Sequence, residues 1–268
     1  MNSIPFYKEL VDVLVGVDDL KGALSKLMWA IRLIERLTKE YKAYVTSSFS
    51  IEETKEIRRE YFGRLSSVLR KIKKHLGFLE EARKKLKQIP DINPELPTIV
   101  IAAAPNVGKS TLVKRISSAK PEIAPYPFTT KGLILGHMKI KEGIVIQVID
   151  TPGLLDRPLT ERNEIELQAI VALKHLAHVI VFMIDPTMHS GFTLDYQLNI
   201  LMDIMNHFKG VPILVAINKI DIAKEEEIKR AEASLPNGIE IFRISASEGI
   251  GVEELYKRLI EVVLSDGV

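Results

Sequence analysis

The chain has 268 residues, of which 46% are apolar, and its formal net charge is +2. This composition excludes a disordered chain and predicts one large or two modest folded domains. The lack of cysteine excludes disulfides, zinc–thiolate sites and thiol catalysis. Because no apolar run nears the ~18 residues that cross a bilayer, and the N-terminus lacks a signal-peptide pattern, we expect a cytoplasmic protein without stable membrane insertion.

Residues 1–95 are predicted to form an all-helical domain. A first long helix carries an apolar seam, formed by Leu20, Leu24, Leu27, Ile31 and Ile34. Ser50 and Glu53 form a capping-box pattern that begins a second long helix. Its apolar stripe comprises Ile57, Tyr61, Leu65, Val68, Ile72, Leu76 and Leu79. Neither stripe can be buried by its own helix, so we predict an antiparallel pair, with a further helix over 5–15.

A proline-rich linker, "QIPDINPELP", separates this domain from a second domain over 96–268. Short, continuous apolar runs then alternate with helical stretches, which is typical of a mostly parallel sheet with helices on both faces. The predicted strands cover 98–104, 144–150, 179–185, 212–218 and 240–245. The predicted helices cover 161–177, 194–208, 224–234 and 251–264. The fold class is therefore α/β, preceded by an all-α domain.

The first of these strands ends in a loop that departs by one residue from the phosphate-binding pattern G-x-x-x-x-G-K-S/T. Ala103 stands where the pattern has its first glycine. The strand before the loop and the helix after it supply amide groups that converge on an anion. We expect a negative φ at Ala103 and a left-handed conformation at Asn106. The predicted phosphate-binding residues are Asn106, Val107, Gly108, Lys109, Ser110 and Thr111.

Two further motifs predict the ligands of a magnesium ion. In "VIDTPG", Asp150 can hold a magnesium-bound water, the hydroxyl of Ser110 can bind the ion directly, and the amide of Gly153 can reach a terminal phosphate. Taken alone, this motif also fits an ordinary strand-end aspartate before a Pro-Gly turn. In "PYPFTTKG", either Thr129 or Thr130 can complete the magnesium shell, and a plain surface turn is the alternative.

The last two motifs predict which base is bound. In "NKID", the carboxylate of Asp221 can accept two hydrogen bonds from guanine, whereas adenine offers no such pair of donors. The stem of Lys219 can lie along the base, and the amide of Ala246 could donate to the guanine O6. The predicted base-binding residues are Asn218, Lys219, Asp221, Ser245 and Ala246. Because nucleotides bind at the carboxyl ends of parallel strands, these motifs in this order predict one GTP site.

These motifs also resemble a known family. "APNVGKST", "YPFTT", "DTPG", "NKID" and "SAS" are similar to the Obg-related GTPases, and residues 150–186 resemble the nucleolar GTP-binding protein group. That group carries a helical domain before its GTPase domain and assembles the large ribosomal subunit. The resemblance implies a GTP-hydrolysing switch whose partner is that subunit or its precursor, with ribosomal RNA and proteins. It favours Thr130 as the magnesium-binding threonine, and it suggests a compact prokaryotic-type member.

Hydrolysis should be slow. Leu154 follows "DTPG", where Ras-like GTPases carry a glutamine that orients the attacking water, and leucine can neither donate nor accept a hydrogen bond. We therefore expect stimulation by a partner or by a cation. GTPases with asparagine at the position of Asn106 often use potassium in this way, so potassium is a possible second cofactor beside magnesium. The predicted catalytic residues are Asn106, Lys109, Thr130 and Gly153.

Residues 64–87 contain nine lysines and arginines and two acidic residues. Alone, this run fits a solvated basic face, whereas the family resemblance favours contacts with ribosomal RNA phosphates. A basic helix lying on a membrane is a third option. The leading hypothesis is a GTPase that assembles the large subunit. The alternatives are a nucleotide sensor that binds GTP or GDP with negligible hydrolysis, and a membrane-associated GTPase.

Overall fold

The computed structural model describes residues 5–127, 129, 132–140 and 143–265, except the side chain at position 165. They form two compact units, one of residues 11–87 and one of residues 5–10 with 88–265. The start of the first helix, α1 (Pro5–Val15), thus packs with the second unit, although the sequence groups it with the helical domain. Phe6 and Leu10 are fully buried in that unit's core, and the hydroxyl of Tyr7 donates a hydrogen bond to the carbonyl of Ile92.

The helical unit contains two long helices, α2 (Val17–Thr46) and α3 (Ile51–Leu86), which pack antiparallel across a four-residue turn. The Ser50 hydroxyl caps α3 by accepting a hydrogen bond from the Glu53 amide. Further along the pair, the hydroxyls of Thr38 on α2 and Tyr61 on α3 lie 2.9 Å apart. The predicted helical pair and its N-cap residue are therefore present.

The buried face of α2 differs from the predicted seam. Leu24 and Ile31 are 46% and 41% exposed, whereas Ala23 and Ala30, one position earlier, are buried. One residue along a helix is a rotation of 100°. Leu27 and Ile34 of the predicted seam remain partly buried against the core of the pair, so the prediction holds in part. Alanine is small enough to lie where two helices face each other, which fits its position on the buried face of α2.

The second unit is built on a seven-stranded sheet. Its strands are β1 (Thr98–Ala102), β2 (Glu122–Ala124), β3 (Leu133–Lys139), β4 (Val145–Asp150), β5 (Val179–Ile184), β6 (Ile213–Ile217) and β7 (Glu240–Arg243). Their order across the sheet is β2-β3-β4-β1-β5-β6-β7. β4, β1, β5, β6 and β7 are parallel, while β2 and β3 form an antiparallel edge that the sequence reading missed.

Helices cover the sheet and connect its parallel strands. They are α4 (Lys109–Ile116), α5 (Glu164–Lys174), α6 (Leu194–His207), α7 (Glu225–Ala233) and α8 (Val252–Ser265). Every residue of β1 and β5 is buried, as expected for strands covered on both faces. The predicted α/β fold is confirmed. The register pairs Ile101 with Asp150, which brings the phosphate loop beside the DTPG segment.

Within the described part of the chain, no helix combines the length and the apolar character that a membrane span requires.

Candidate nucleotide-binding site

The loop between β1 and α4 has the backbone shape of an anion cradle. Asn106 has a φ of 59° and Gly108 a φ of 115°, and α4 begins at the next residue. The left-handed conformation predicted for Asn106 is thus present. The N-terminal end of a helix carries partial positive charge, so the start of α4 beside this loop favours an anion. The loop and helix together have the backbone shape that the predicted phosphate site requires, and phosphate binding stays a prediction.

Ala103 fits the loop without strain. Its φ is not positive, because the non-glycine residues with positive φ among those described are Asn106, Met188 and Lys219. The Lys109 ammonium donates hydrogen bonds to the carbonyls of Ala103 and Ala104, at 2.9 Å each. The methyl group of Ala103, where the pattern has glycine, therefore leaves both hydrogen bonds intact. These bonds from Lys109 connect the two ends of the loop.

The chemistry of the adjoining polar groups suits a hard cation such as magnesium. The Ser110 hydroxyl donates to Asp150 Oδ2 at 2.8 Å. Asp150 is fully buried, and its Oδ1 has no hydrogen-bond partner in the described part of the chain. Burial raises the pKa of this carboxyl, while the Ser110 hydrogen bond and the Lys109 charge oppose that rise. A buried oxygen without a partner, beside a hydroxyl, fits magnesium and its bound water.

The third predicted magnesium ligand, Thr130, lies outside the described residues. Its neighbour Thr129 uses its hydroxyl within the local turn, where it donates to the Tyr126 carbonyl and accepts from the Gly132 amide. Thr129 is thereby engaged by its own backbone surroundings.

The segment after the DTPG motif contains two charged residues that sequence reasoning missed. The amide of Gly153 donates to Asp156 Oδ2 at 2.7 Å. Arg162 Nη2 donates to the carbonyls of Gly153 and Leu154 at 2.8 Å and lies 3.3 Å from Asp156 Oδ1. Burial and the nearby charge of Arg157 lower the pKa of Arg162, while Asp156 acts in the opposite direction. In the sequence, Asp156 and Arg162 are distinguished only by being charged residues within the run "LLDRPLTER".

A cavity of about 640 Å³ joins these groups, bordered by the phosphate loop, Asp150, Pro152, Gly153 and Asp156. Leu154 is 1% exposed and packs in the core. The side chain at the position of the catalytic glutamine is therefore buried, which agrees with the expectation that it does not orient water.

Asn218 links the phosphate loop to the predicted base loops. Its Nδ2 donates to the Val107 carbonyl at 2.7 Å, and its Oδ1 accepts the Ala246 amide at 2.8 Å. A Cβ at Gly108 would lie 2.4 Å from this Nδ2, so only glycine fits there. In this structure the Ala246 amide donates its hydrogen to Asn218 Oδ1. A hydrogen bond from this amide to guanine O6 therefore stays a prediction.

Asp185, at the end of β5, holds Lys219 in place. Lys219 Nζ lies 2.7 Å from Asp185 Oδ2, and Lys219 has a left-handed φ of 64°. Burial acts to raise the pKa of Asp185, but hydrogen bonds from Lys219 and Thr187 outweigh it and hold the pKa below its usual value. The pair fixes the lysine stem that is predicted to lie along the base, and sequence reasoning did not find Asp185.

The remaining base-site residues sit in two loops. Asp221 is exposed, and no hydrogen bond within the described residues involves its carboxylate. The Ser245 hydroxyl lies 3.1 Å from that of Ser247. Arg115, on α4, donates from Nε to the Ala246 carbonyl at 2.6 Å and from Nη2 to the Ser247 carbonyl. This second missed arginine anchors the loop that carries Ala246.

Asn106 is the predicted potassium ligand. Its Nδ2 lies 3.5 Å from the Ser190 carbonyl, and its Oδ1, the atom that would bind a cation, makes no hydrogen bond within the described residues. Those residues contain no group of three or more histidine or acidic side chains that could hold a metal ion.

Comparisons with known proteins agree with this geometry. Residues 2–93 match the family model described as NOG1 N-terminal helical domain, and residues 164–221 match that of nucleolar GTP-binding protein 1. A crystal structure described as a nucleolar GTP-binding protein 1 from Plasmodium falciparum is 34% identical, with a TM-score of 0.56. It aligns over 67% of this chain and 92% of that one. The chain belongs to the nucleolar GTP-binding protein 1 family.

The family resemblance and P-loop GTPase fold predicted from the motifs are thus confirmed. Nucleolar GTP-binding protein 1 of Drosophila melanogaster is 36% identical over 267 residues, which are 97% of this chain and 41% of that protein. An uncharacterized protein of Methanocaldococcus jannaschii is 47% identical over 224 residues, or 84% of this chain and 62% of that protein. The chain therefore spans less than two thirds of the length of either relative. Its Obg-related origin and compact prokaryotic type stay predictions.

Proposed function

We propose that this member of the nucleolar GTP-binding protein 1 family binds GTP and GDP and hydrolyses GTP slowly, as a switch in assembly of the large ribosomal subunit. One observation carries the enzymatic part of this proposal. Lys109, the Ser110–Asp150 pair and the Gly153 amide border one cavity, at the carboxyl ends of adjacent parallel strands. That arrangement can bind phosphates and a metal ion together.

Each part of the nucleotide has a proposed set of contacts. The amides of residues 106–111 and the Lys109 ammonium bind the phosphates. Asn218, Lys219, Asp221, Ser245 and Ala246 bind guanine. Ser110, Asp150 and Thr130 would hold magnesium, which when bound supplies positive charge against the phosphate oxygens. Gly153 donates its amide to the terminal phosphate. Two observations support these assignments. Asp150 Oδ1 is buried without a hydrogen-bond partner among the described residues, and Lys109 is held within the phosphate loop by its hydrogen bond to Ala103.

Water activation is not assigned to Leu154, because the side chain at the position of the catalytic glutamine is apolar and buried. A partner, or a potassium ion held by Asn106, would complete the catalytic set. We expect turnover to be faster in potassium than in sodium chloride at equal ionic strength, and Asn106→Ala to remove the difference. Phosphate release in the two salts, with magnesium in both, provides the measurement. Equal wild-type rates would exclude the cation and leave a partner residue as the catalyst.

The ribosomal part of the proposal rests on the helical unit and the family. Within 64–87, Arg70, Lys73 and Lys74 are exposed, and none of them forms an ion pair within the described residues. Exposed cations on one helix suit RNA phosphates. The related proteins carry the word nucleolar in their names, and the motif resemblance points to large-subunit assembly.

We propose a cytoplasmic location for this chain.

Co-sedimentation and turnover with purified large subunits test this proposal. We expect the GTP-bound chain to co-sediment with large subunits, and the subunits to accelerate phosphate release. Lys73→Glu with Lys74→Glu should weaken association about tenfold, because two phosphate contacts are reversed. The matched control is Lys120→Glu with Lys209→Glu, an equal charge change at exposed sites of the other unit. An equal loss in both variants would contradict a specific basic face.

Two other outcomes correspond to the alternative functions. Tight nucleotide binding with negligible turnover, even with subunits and potassium, would indicate a nucleotide sensor. Flotation with anionic liposomes, lost in the Lys73 and Lys74 variant, would indicate a membrane-associated GTPase. Either outcome would replace the proposed role.

A further inference from the structure

The carboxylate of Asp156 accepts a hydrogen bond from the Gly153 amide, which the proposed function assigns to the terminal phosphate of GTP. Its Oδ2 accepts the Gly153 amide at 2.7 Å. Asp156 also borders the cavity that contains Lys109 and Ser110, and its side chain is 17% exposed. A negatively charged group thus stands where a negatively charged phosphate is expected to bind.

One buried guanidinium holds this arrangement together. Arg162 Nη2 lies within hydrogen-bond distance of Asp156 Oδ1 and of the carbonyls of Gly153 and Leu154. The Arg162 side chain is 2% exposed. Both the carboxylate and the peptide whose amide it accepts are therefore fixed by the same cation, and charge-assisted hydrogen bonds of this kind are strong.

We propose that Asp156 competes with the terminal phosphate for the Gly153 amide, and thereby sets the preference of the chain between GDP and GTP. One N–H group makes one short hydrogen bond, and a carboxylate and a phosphate repel each other at that distance. GDP lacks the third (γ) phosphate, which is the terminal phosphate of GTP, and therefore leaves the Asp156 contact intact. GTP gains the Gly153 amide only when Asp156 releases it. This inference rests on the proposed function and extends it to a residue that the motifs did not include.

The structure provides room and partners for the released side chain. Asp156 also borders a second cavity of about 510 Å³, whose wall includes Arg157, Arg162 and Tyr196. The Nε of Arg162 is buried and has no hydrogen-bond partner in the described part of the chain. Glu166 also borders this cavity and pairs with Arg157 at 3.7 Å. Arg162 is therefore the cation toward which a carboxylate that leaves the Gly153 amide can move.

Asp203 provides a matched control. Its Oδ2 accepts a hydrogen bond from the Leu159 amide at 2.9 Å, so it supports the same segment through the same kind of contact. Asp203 borders neither cavity. A variant of Asp203 loosens the segment without removing charge from the phosphate region, which separates a structural effect from the proposed competition.

Binding of GDP and of a non-hydrolysable GTP analogue to the full chain, measured by calorimetry with magnesium present, tests the inference. In Asp156→Asn, which keeps the shape and removes the charge, we expect affinity for the analogue to rise about tenfold. GDP affinity should stay within about twofold of wild type. Asp156→Ala should show at least the same increase, and Asp203→Ala should leave the ratio of the two affinities unchanged.

The outcomes separate this inference from the proposed function. Wild-type binding with an unchanged ratio in Asp156→Asn overturns the competition alone, as does an equal shift of the ratio in Asp203→Ala. Failure of the wild type to bind either nucleotide overturns the proposed function and the inference with it. GDP binding by a variant shows that it is folded, and if Asp156→Ala does not fold, the isosteric Asp156→Asn decides.

Discussion

Lys109→Ala will abolish measurable binding of GTP and GDP. The lysine is 7% exposed, and its ammonium donates to the Ala103 and Ala104 carbonyls across the loop. The substitution removes the positive charge that the phosphates require, and it leaves two buried carbonyls without this donor. Truncating one partner of a buried, hydrogen-bonded charge pair costs about 2–5 kcal/mol or more. Calorimetric titration with each nucleotide in the presence of magnesium provides the measurement.

Ala103→Gly is the matched variant in the same loop. Because Ala103 is buried without a positive φ, and its carbonyl already accepts from Lys109, the substitution should change GTP affinity by much less than tenfold. A tenfold gain, ~1.4 kcal/mol, would show that the alanine weakens the site. Wild-type affinity in Lys109→Ala would refute the assignment of the phosphate loop.

Asp221→Asn will change the preferred nucleotide from GTP to xanthosine triphosphate. The variant replaces a double acceptor by a group that also donates, so it loses the pair of hydrogen bonds from guanine and suits the additional carbonyl of xanthine. Losing a bidentate base contact costs ~1–3 kcal/mol. We expect weaker GTP binding and stronger binding of xanthosine triphosphate, measured by competition against one labelled nucleotide.

Asp195→Asn is the control for this exchange. Asp195 is also an exposed aspartate of the same unit, and it lies in the first turn of α6. It should leave both affinities unchanged. If Asp221→Asn kept the wild-type preference for GTP, the base would have to be recognised elsewhere in the chain.

The parts of the fold that could be predicted are those buried on both faces. β5 is apolar throughout, β1 is apolar after Thr98, and β4 is apolar except at Gln147 and Asp150, because helices cover both sides of the sheet. The antiparallel edge carries no such signal. β2 has three residues, two of them exposed, and the apolar run of β3 is interrupted by Gly136 and His137. A Cβ at Gly136 would lie 2.0 Å from Ser117 Oγ, so close packing on α4 selects glycine, and the sequence cannot show this.

The same limit applies to the candidate site. Its phosphate and base loops could be predicted because glycine, lysine and aspartate stand at fixed spacings beside strand ends. Arg115, Arg162 and Asp185 could not, because they act on partners that only the fold brings near. Arg115 binds a carbonyl 131 residues away in sequence, and Arg162 binds backbone oxygens, which any residue type supplies.

The carboxamide of Asn218 has a kinetic consequence for release of the nucleotide. It binds the Val107 carbonyl through Nδ2 and the Ala246 amide through Oδ1, so one planar group joins the loop under the phosphates to a loop beside the base. Each loop must break its own hydrogen bond to Asn218 in order to open. If these loops hold the phosphates and the base as proposed, we expect Asn218 to couple their opening, so that loss of its carboxamide speeds release of the whole nucleotide.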